Sequence, residues 1–359
     1  MKLFACGVCG QPLMFENTRC ERCHHRLGYD VVTDTLLPLD PLDDLWQPAS
    51  GDMSKRFRFC ANAAHDVCNW LIPVEIDAPF CRACVFNRTV PDISDPKKLK
   101  LWRDLEAAKH RLVFTLIKLD LPMQTRLENS QEGLAFDFLV EESGAKVLTG
   151  HDQGLVTLNA AEADVTSRVK LREEMGEAYR TLLGHFRHEI GHYYWDRLVR
   201  DGSMLEECRK LFGDDRSDYQ AAMKKHYANG APPDWREHFV SAYATMHPWE
   251  DFAETFAHYL HIVDALDTAR AFGIAVHAKD APSLDAEADL DPYRARSMET
   301  MLSVWDPICF AVNSLNRSLG QPDLYPFVLP SAVIEKLEFM RKLVATAGGT
   351  RQGPMKKAA

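Results

Sequence analysis

Apolar residues recur at steps of three and four between positions 177 and 200, which is the spacing of one face of an α-helix. The stripe consists of Tyr179, Leu182, Leu183, Phe186, Ile190, Tyr193 and Tyr194. At about 100° per residue, His188 and His192 fall on the opposite side, together with His185 and Trp195. The pattern predicts a helix with one face toward a core and the other toward a cleft.

A second amphipathic helix is predicted over 97–119, with Leu99, Trp102, Leu105, Leu112 and Leu116 on its inner side. Between the two helices, short apolar runs joined by polar or glycine turns predict strands at 134–140, 146–149 and 155–158. We expect these strands to form a small antiparallel sheet. Beyond residue 200 the pattern is almost wholly helical and includes a helix over 235–246, whereas residues 349–359 are typical of a disordered tail.

Residues 188–192 read His-Glu-Ile-Gly-His, the HExxH pattern of zinc peptidases. Residues four apart lie on one helix face, so His188 and His192 can each offer a ring nitrogen to one Zn²⁺. Glu189 lies about 100° round the helix, where its carboxylate can act as general base on a metal-bound water instead of binding the metal. His185, one turn earlier, either lines the cleft or satisfies a polar position. A bare HExxH is weak evidence, so the interpretation depends on its surroundings.

A catalytic zinc usually takes a third ligand from the protein, and segment 247–261 is the best source of one. Its apolar residues Phe252, Phe256, Tyr259 and Leu260 form one helical face together with Val263. Glu250 and Glu254 lie on the opposite face. We expect Glu250 to be the third ligand and Glu254 to accept a hydrogen bond from the far nitrogen of a ligating histidine. The alternative is that both acids belong to the solvated first turns of a helix that starts at Pro248, where the helix dipole favours negative charge.

Two groups of four cysteines lie in the first 90 residues. The first group is Cys6, Cys9, Cys20 and Cys23, two CxxC pairs that match a closed structural zinc site. The second group is Cys60, Cys68, Cys81 and Cys84, of which only the last two form a CxxC pair. His65 is an alternative ligand in the second group, or a surface loop residue. Cys208 and Cys309 have no local partner, and we expect them to be small buried residues.

The charge distribution argues against nucleic acid as a partner. The chain carries 42 Lys and Arg against 52 Asp and Glu, and residues 1–120 contain 16 of each sign. Binding to an extended phosphate backbone is driven by clustered basic residues, which this balance does not provide. No run approaches the roughly 18 apolar residues of a membrane span, and no secretory segment is visible at the start. We therefore expect a soluble cytoplasmic protein that does not bind membranes.

The chain resembles the bacterial zinc-binding metallopeptidases that carry an N-terminal zinc ribbon. The resemblance spans most of residues 1–345 and rests on Cys-Asn-Trp-Leu-Ile-Pro at 68–73, Arg-Thr-Val-Pro-Asp at 88–92, Thr-Leu-Asn at 157–159, the HExxH segment at 184–196 and Glu-Asp-Phe-Ala-Glu-Thr-Phe-Ala at 250–257. In gluzincin peptidases of the lethal-factor and Mlc-titration-factor type, a tyrosine precedes the ligand glutamate by seven residues, as Tyr243 precedes Glu250 here.

That resemblance implies that Tyr243 donates a hydrogen bond to the oxyanion formed when water attacks a carbonyl. The alternative is a core tyrosine on the helix predicted over 235–246. Asp251 departs from the pattern, because those relatives often have an apolar residue at this position. Asp251 could therefore compete with Glu254 for the hydrogen bond to the ligating histidine.

We expect an α+β chain with tandem zinc-ribbon-like modules over 1–92, a mainly helical zincin-like metallopeptidase domain with a small antiparallel sheet over 93–348, and the tail. The leading hypothesis is a zinc peptidase with one catalytic and two structural Zn²⁺ that cleaves a peptide or protein. Strand 155–158 is the candidate sheet edge for an extended peptide, although a plain structural role fits it equally. The alternative function is an adaptor whose zinc ribbons bind a protein partner while the peptidase domain is inactive or latent.

Overall fold

The computed structural model describes residues 2–141, 146–175 and 181–348. The tail predicted at 349–359 lies outside the described residues, and so do the positions 177–180 of the first predicted helix. The described chain combines small sheets near its start with long helices in its second half. The α+β class predicted from the sequence is confirmed.

The first part of the chain is built from two antiparallel sheets. One pairs strands β1 (Phe4–Ala5) and β2 (Pro12–Leu13). The other has five strands in chain order: β3 (Arg26–Asp30), β4 (Thr35–Leu42), β5 (Leu45–Pro48), β6 (Phe57–Phe59) and β7 (Leu71–Pro73). The Tyr29 amide donates to the Asn69 carbonyl at 2.8 Å, which brings the first and last strands of this sheet together.

Helix α1 (Pro96–Lys118) confirms the helix predicted over 97–119 and joins the two parts of the molecule. One face packs Phe114 against Phe15 of the N-terminal part, with ring centroids 5.3 Å apart. Leu112, on another face, belongs to the larger core of the helical part. The apolar residues of α1 therefore fix the small N-terminal sheets to the rest of the protein.

A second group of strands, from before and after α1 in the chain, forms a four-stranded sheet. Its strands are β8 (Asn87–Thr89), β9 (Ala135–Leu139), β10 (Gly150–Asp152) and β11 (Leu155–Asn159), in the order β10-β11-β9-β8. Only β10 and β11 pair antiparallel, whereas β11 with β9 and β9 with β8 are parallel. The sheet is therefore mixed, and the prediction that it is antiparallel is wrong for two of its three pairings.

Strand β11 is an interior strand, so the prediction that 155–158 forms the sheet edge is wrong. The alternating apolar residues predict a half-buried strand but do not say how many neighbours it has. The edge is β10, which lies just after the strand predicted at 146–149. The three residues of β10 are Gly150, His151 and Asp152, whose lack of apolar alternation concealed the strand.

The second half of the chain is mainly helical. Its helices are α2 (Val165–Met175), α3 (Leu182–Tyr194), α4 (Leu205–Phe212), α5 (Tyr219–Asn229), α6 (Pro248–Phe272), α7 (Met298–Ser318) and α8 (Ser331–Gly348). A short hairpin of β12 (Ala275–Val276) and β13 (Ala286–Glu287) separates α6 from α7. Helices α3 and α6 pack together in the large core. Among the described residues, no helix has the length and apolar character needed to cross a bilayer.

The continuous helix predicted over 235–246 is wrong. This segment contains two separate 3₁₀ turns, Trp235–Glu237 and Tyr243–Thr245. Between them, the Ser241 hydroxyl donates to Glu254 Oε2 at 2.5 Å and accepts from the Ala244 amide at 3.1 Å. Serine side chains that bond the backbone in this way compete with the helical ladder. The broken helix places Ser241 against α6.

Candidate metal centre

Helix α3 carries the HExxH residues on a covered face. The Thr181 hydroxyl accepts from the Gly184 amide at 3.0 Å and caps the helix. Phe186, from the apolar stripe, is fully buried in the large core. His188 and His192 are only 9% and 3% exposed. The stripe is therefore covered by the core, and the histidines are covered by the elements around the candidate metal centre.

Glu250 comes from the first turn of α6. His247 caps this helix, because its Nδ1 accepts from the Trp249 amide at 3.1 Å. Gly191 of α3 faces α6 at this level, and a Cβ on Gly191 would lie 2.9 Å from the Ala253 Cα. The absence of a side chain at Gly191 lets the two backbones approach closely enough for the polar side chains of both helices to meet.

Three donor atoms converge between α3 and α6. His188 Nε2 lies 2.9 Å from Glu250 Oε2 and 3.2 Å from His192 Nε2. His192 Nε2 lies 3.4 Å from Glu250 Oε2. Ligands about 2.0–2.1 Å from a tetrahedral zinc ion would be roughly 3.3 Å apart, so the three separations fit such an ion. Two imidazoles and one carboxylate are also the donor set of known catalytic zinc sites.

Glu254 holds the far side of the His188 ring. Its Oε1 lies 2.8 Å from His188 Nδ1, and its Oε2 accepts from Ser241. Burial acts to raise the pKa of Glu254, but the hydrogen bond and charge of His188 outweigh it and lower that pKa to about 2. A carboxylate bonded to Nδ1 fixes the ring orientation and leaves Nε2 for a metal. The sequence analysis expected this contact of Glu254.

Asp251 points away from the histidines. Its Oδ2 accepts from Lys336 Nζ of α8 at 2.7 Å, and both side chains are buried. Lys336 also donates to the His238 carbonyl at 2.8 Å. Asp251 is thus part of a link between α6, α8 and the segment before Ser241. Of the two acids considered from the sequence, the structure brings Glu254 to His188.

Glu189 is buried beside the converging atoms and is 7% exposed. Burial raises its pKa to about 7, and the nearby Glu250 and Glu254 carboxylates act in the same direction against the opposing effect of His188. A carboxyl group whose pKa lies near neutrality can both accept and return a proton at physiological pH. The electrostatic setting of Glu189 therefore suits acid–base chemistry.

Two tyrosine hydroxyls lie near Glu250. The ring centroid of Tyr243 lies 5.9 Å from that of His188. The Tyr219 hydroxyl donates to Glu250 Oε1 at 2.9 Å. Burial, together with the Glu250 charge, raises the pKa of both hydroxyls, so both keep their protons and can donate. Sequence reasoning missed Tyr219, which belongs to no motif and precedes Glu250 by 31 positions.

Two further rings flank His192. The Trp249 ring lies over it with centroids 3.7 Å apart, and the His151 ring of β10 lies 6.2 Å away. Sequence reasoning missed both residues. Trp249 is next to Glu250 in the chain, so the sequence could have indicated that Trp249 lies near the candidate metal centre. His151 lies in a strand without apolar alternation, so nothing in the local sequence connects it with the HExxH helix.

His185 pairs with the carboxylate of Glu162. Glu162 belongs to the 3₁₀ turn Ala160–Ala163, which directly follows β11. Of the two alternatives considered for His185, the contact agrees with a satisfied polar position. His185 does not join the three converging donor atoms.

The first cysteine quartet forms a single cluster. The sulfur atoms of Cys6 and Cys23 lie 3.5 Å apart, and those of Cys9 and Cys20 lie 3.6 Å apart. Sulfur ligands about 2.3 Å from a tetrahedral zinc ion would be roughly 3.8 Å apart, which these separations approach. Four thiolates would fill a tetrahedral ion completely. This donor set fits a structural zinc ion and leaves no position for a substrate.

The second quartet is buried against α1. The sulfur atoms of Cys60, Cys68, Cys81 and Cys84 all lie within 4.8 Å of one another. His110 of α1 places its Nε2 at 3.3 Å from Cys68 Sγ and 3.6 Å from Cys84 Sγ, while its Nδ1 lies 2.6 Å from the Glu106 carbonyl oxygen. A ring that bonds sulfur ligands in this way orients them. The contact also ties the second cluster to the helix shared by both cores.

His65 and the two remaining cysteines stand apart from these groups. The His65 ring lies against Trp102 with centroids 6.0 Å apart, and no described group of metal-binding side chains includes it. Cys208 is buried as expected, whereas Cys309 is only partly buried. Neither cysteine joins a metal-binding group among the described residues.

Comparisons with known proteins cover both parts of the chain. Residues 98–343 match a family described as "putative zinc-binding metallo-peptidase", and residues 3–95 match a zinc-ribbon domain. Uncharacterized proteins of Mycobacterium bovis and of two Mycobacterium tuberculosis strains are 42% identical over 347 residues, or 96% of this chain and 95% of theirs. No solved structure matches. The chain therefore belongs to this putative zinc-binding metallo-peptidase family, with a zinc-ribbon domain in front of the part that matches it.

Proposed function

We propose that the protein is a zinc-dependent peptidase in which His188, His192 and Glu250 hold the catalytic zinc ion. The observation that carries this proposal is the convergence of three donor atoms at separations of 2.9–3.4 Å between α3 and α6. The contact of Glu254 with the far nitrogen of His188 supports it, because metal-binding histidines commonly have such a partner. Family membership supports the class of reaction.

A zinc ion at this centre would supply Lewis-acid chemistry, polarising a carbonyl and lowering the pKa of water. Glu189 takes the proton of the attacking water on a carboxylate oxygen and delivers it to the leaving amine nitrogen. The pKa of about 7 that burial gives Glu189 suits both transfers. The Tyr243 hydroxyl donates to the scissile carbonyl oxygen as negative charge develops there.

The proposed substrate is a peptide or a protein in extended conformation. Strand β10 is the edge of the four-stranded sheet, and its His151 ring lies 6.2 Å from that of His192. An extended peptide can add to an exposed edge through main-chain hydrogen bonds. Binding along β10 would bring a peptide bond close to the three donor atoms. Trp249 stacks on His192 at 3.7 Å and restricts the access of water from that side.

The zinc-dependent peptidase would hold three zinc ions per chain, one between α3 and α6 and one in each cysteine cluster. The four sulfur atoms of each cysteine cluster are enough to fill a tetrahedral ion, so we assign both clusters a structural role.

A second candidate function is a protein-binding adaptor with a latent peptidase domain. The low exposure of the centre favours it, because Glu250 is 2% exposed and the HExxH residues are all buried. The zinc-ribbon part would then bind a protein partner. Incubation of the zinc-loaded protein with a peptide library separates the two functions, since only the active peptidase releases new amino termini.

The sharpest test of the mechanism is Glu189→Gln in the full-length protein. Glutamine cannot accept the proton of water, so we expect cleavage to fall by about 10²–10⁴-fold. The zinc content should stay equal to that of the unchanged protein. The matched control is Glu206→Gln. The Glu206 side chain is 79% exposed and has no part in the proposed mechanism. Cleavage at the normal rate by Glu189→Gln would contradict the mechanism.

A further inference from the structure

The two oxygen atoms of Glu250 have different surroundings. Oε2 faces the Nε2 atoms of His188 and His192 at 2.9 and 3.4 Å. Oε1 accepts from the Tyr219 hydroxyl at 2.9 Å. Because Glu250 is almost wholly buried, water does not compete freely for either oxygen. One oxygen is therefore turned toward the metal-binding atoms, and the other is held by a tyrosine.

We propose that Tyr219 is a positioning residue that keeps Glu250 a ligand through one oxygen only. The inference rests on the proposed function, because it takes the ion to be bound by His188, His192 and Glu250. Carboxylates bind metal ions through either one or two oxygens. A hydrogen bond donated to Oε1 holds the carboxylate plane and makes that oxygen a poorer ligand. The coordination position that a catalytic zinc needs for water or substrate then stays available.

His247 fixes the separation of Tyr219 and Glu250. Its Nδ1 accepts from the backbone at the start of α6, so its Nε2 carries the proton and donates to the Ser217 carbonyl at 3.1 Å. The Tyr219 and His247 rings also pack edge to face, with centroids 5.3 Å apart. One side chain thus ties the start of α5 to the start of α6. None of the α5 residues is fully buried, so these contacts, more than apolar packing, set the place of Tyr219.

The two tyrosines have different contacts at the centre. The Tyr219 hydroxyl donates to Glu250, whereas Tyr243 places its ring near His188 and, in the proposed mechanism, donates to the substrate. Removal of the Tyr219 hydroxyl should therefore alter the metal ion. Removal of the Tyr243 hydroxyl should alter turnover and leave the metal ion as it was.

The test compares Tyr219→Phe with Tyr243→Phe and Tyr227→Phe in the full-length protein. Tyr227 lies on the same helix as Tyr219 and is 64% exposed, so it controls for the loss of a hydroxyl from α5. Phenylalanine keeps the ring that packs against His247 and Trp249, and circular dichroism checks the fold. Zinc affinity is measured by competition with a coloured chelator. Visible absorption is recorded after a mild chelator has emptied the weakest site and cobalt has replaced its zinc.

We expect Tyr219→Phe to lower the zinc affinity by about 10–100-fold, the usual effect of losing a partner of a metal ligand. We also expect weaker visible cobalt bands, because binding of the second Glu250 oxygen raises the coordination number above four. Tyr243→Phe and Tyr227→Phe should leave both measurements unchanged. An unchanged zinc affinity and an unchanged cobalt spectrum in Tyr219→Phe would overturn the inference. A loss of cleavage without a metal effect would also overturn it, by assigning Tyr219 to the substrate.

Failure of the peptidase proposal would be visible separately. The unchanged protein could cleave no peptide while Tyr219→Phe lowered the zinc affinity and altered the cobalt spectrum. That result would contradict the proposed activity and support the role of Tyr219. If the unchanged protein cleaved peptides and Tyr219→Phe changed neither the zinc affinity nor the cobalt spectrum, the proposed activity would be supported and the role of Tyr219 contradicted.

Discussion

The cysteine clusters and the centre between α3 and α6 present metal-binding side chains on very different supports. Each cluster takes four sulfur donors from turns near short strands, such as the two-residue strands β1 and β2. The centre takes three donors from helices of 13 and 25 residues that pack together in the large core. The cysteine clusters lie in a smaller core that contains Phe15, Tyr29 and Trp70, and in so small a unit a bound metal contributes much of the folding free energy. The packing of two long helices, in contrast, brings the donor atoms of the centre together. Under the proposed function, the structural and catalytic sites therefore differ in their support as well as in their donor atoms.

The largest effect should come from breaking the second cysteine cluster with Cys68→Ser. A structural zinc site contributes on the order of 10 kcal/mol of binding free energy, so loss of one ligand should unfold the zinc-ribbon part. We expect one zinc ion fewer per chain and a clearly lower melting temperature. The control is Cys309→Ser, because Cys309 belongs to no described metal-binding group. Full zinc content with an unchanged melting temperature would show that this cluster is not needed for folding.

A smaller but still large loss is expected when protein contacts that support the centre are removed. Lys336→Met leaves the buried Asp251 carboxylate without its charged partner, which typically costs about 3–5 kcal/mol of folding free energy. Denaturant unfolding measures this loss. Adding Asp251→Asn should recover much of it, because the buried charge is then gone. If Lys336→Met alone left the free energy of unfolding unchanged, the contact between Lys336 and Asp251 would not be needed to support the centre.

Loss of the partner of His188 should affect the metal more than the fold. Glu254→Ala removes the acceptor of the His188 Nδ1 hydrogen bond and should weaken zinc at the centre by about 10–100-fold. Glu254→Gln is the matched variant, because its amide oxygen can still accept from His188, and its effect should be smaller. Chelator competition gives the affinities. Equal zinc affinities in the unchanged protein and in both variants would show that Glu254 does not support metal binding.

The smallest effect is expected at His65, where the sequence left a ligand role open. His65→Ala removes a ring that packs against Trp102 outside the second cysteine cluster, so the folding free energy should fall by only about 0.5 kcal/mol. The zinc content should not change. Elemental analysis decides the question directly, since loss of one zinc ion in this variant would make the second cluster a three-cysteine, one-histidine site.

Local signals predicted the elements that carry most of the metal-binding side chains. Apolar spacing predicted α1 to within one residue at each end, and Pro248 indicated the start of α6, because proline suits the first turn of a helix. The two cysteine groups were likewise readable from spacing. These features needed no knowledge of which distant segments meet.

Contacts between distant segments were not predictable in the same way. Tyr219 reaches Glu250 because the chain between them folds back, so that His247 beside Glu250 bonds to Ser217 beside Tyr219. Strand β10 has no apolar alternation and is defined by its hydrogen bonds to β11. The helix expected over 235–246 is replaced by turns because Ser241 bonds to Glu254 on α6. In each case a tertiary contact decided the local structure.

The close approach of α3 and α6 at Gly191 also affects which metal ion the centre can hold. A methyl group there would meet the Ala253 backbone and the Phe256 Cβ and would push the helices apart. The candidate ligand atoms belong to those two helices. A larger distance between the helices would therefore separate these atoms and favour an ion larger than zinc, whose preferred bond lengths are short. Under the proposed function, selectivity for zinc over larger divalent ions would thus depend in part on a residue that has no side chain. Any effort to move this site into another scaffold must carry the glycine along with the ligands.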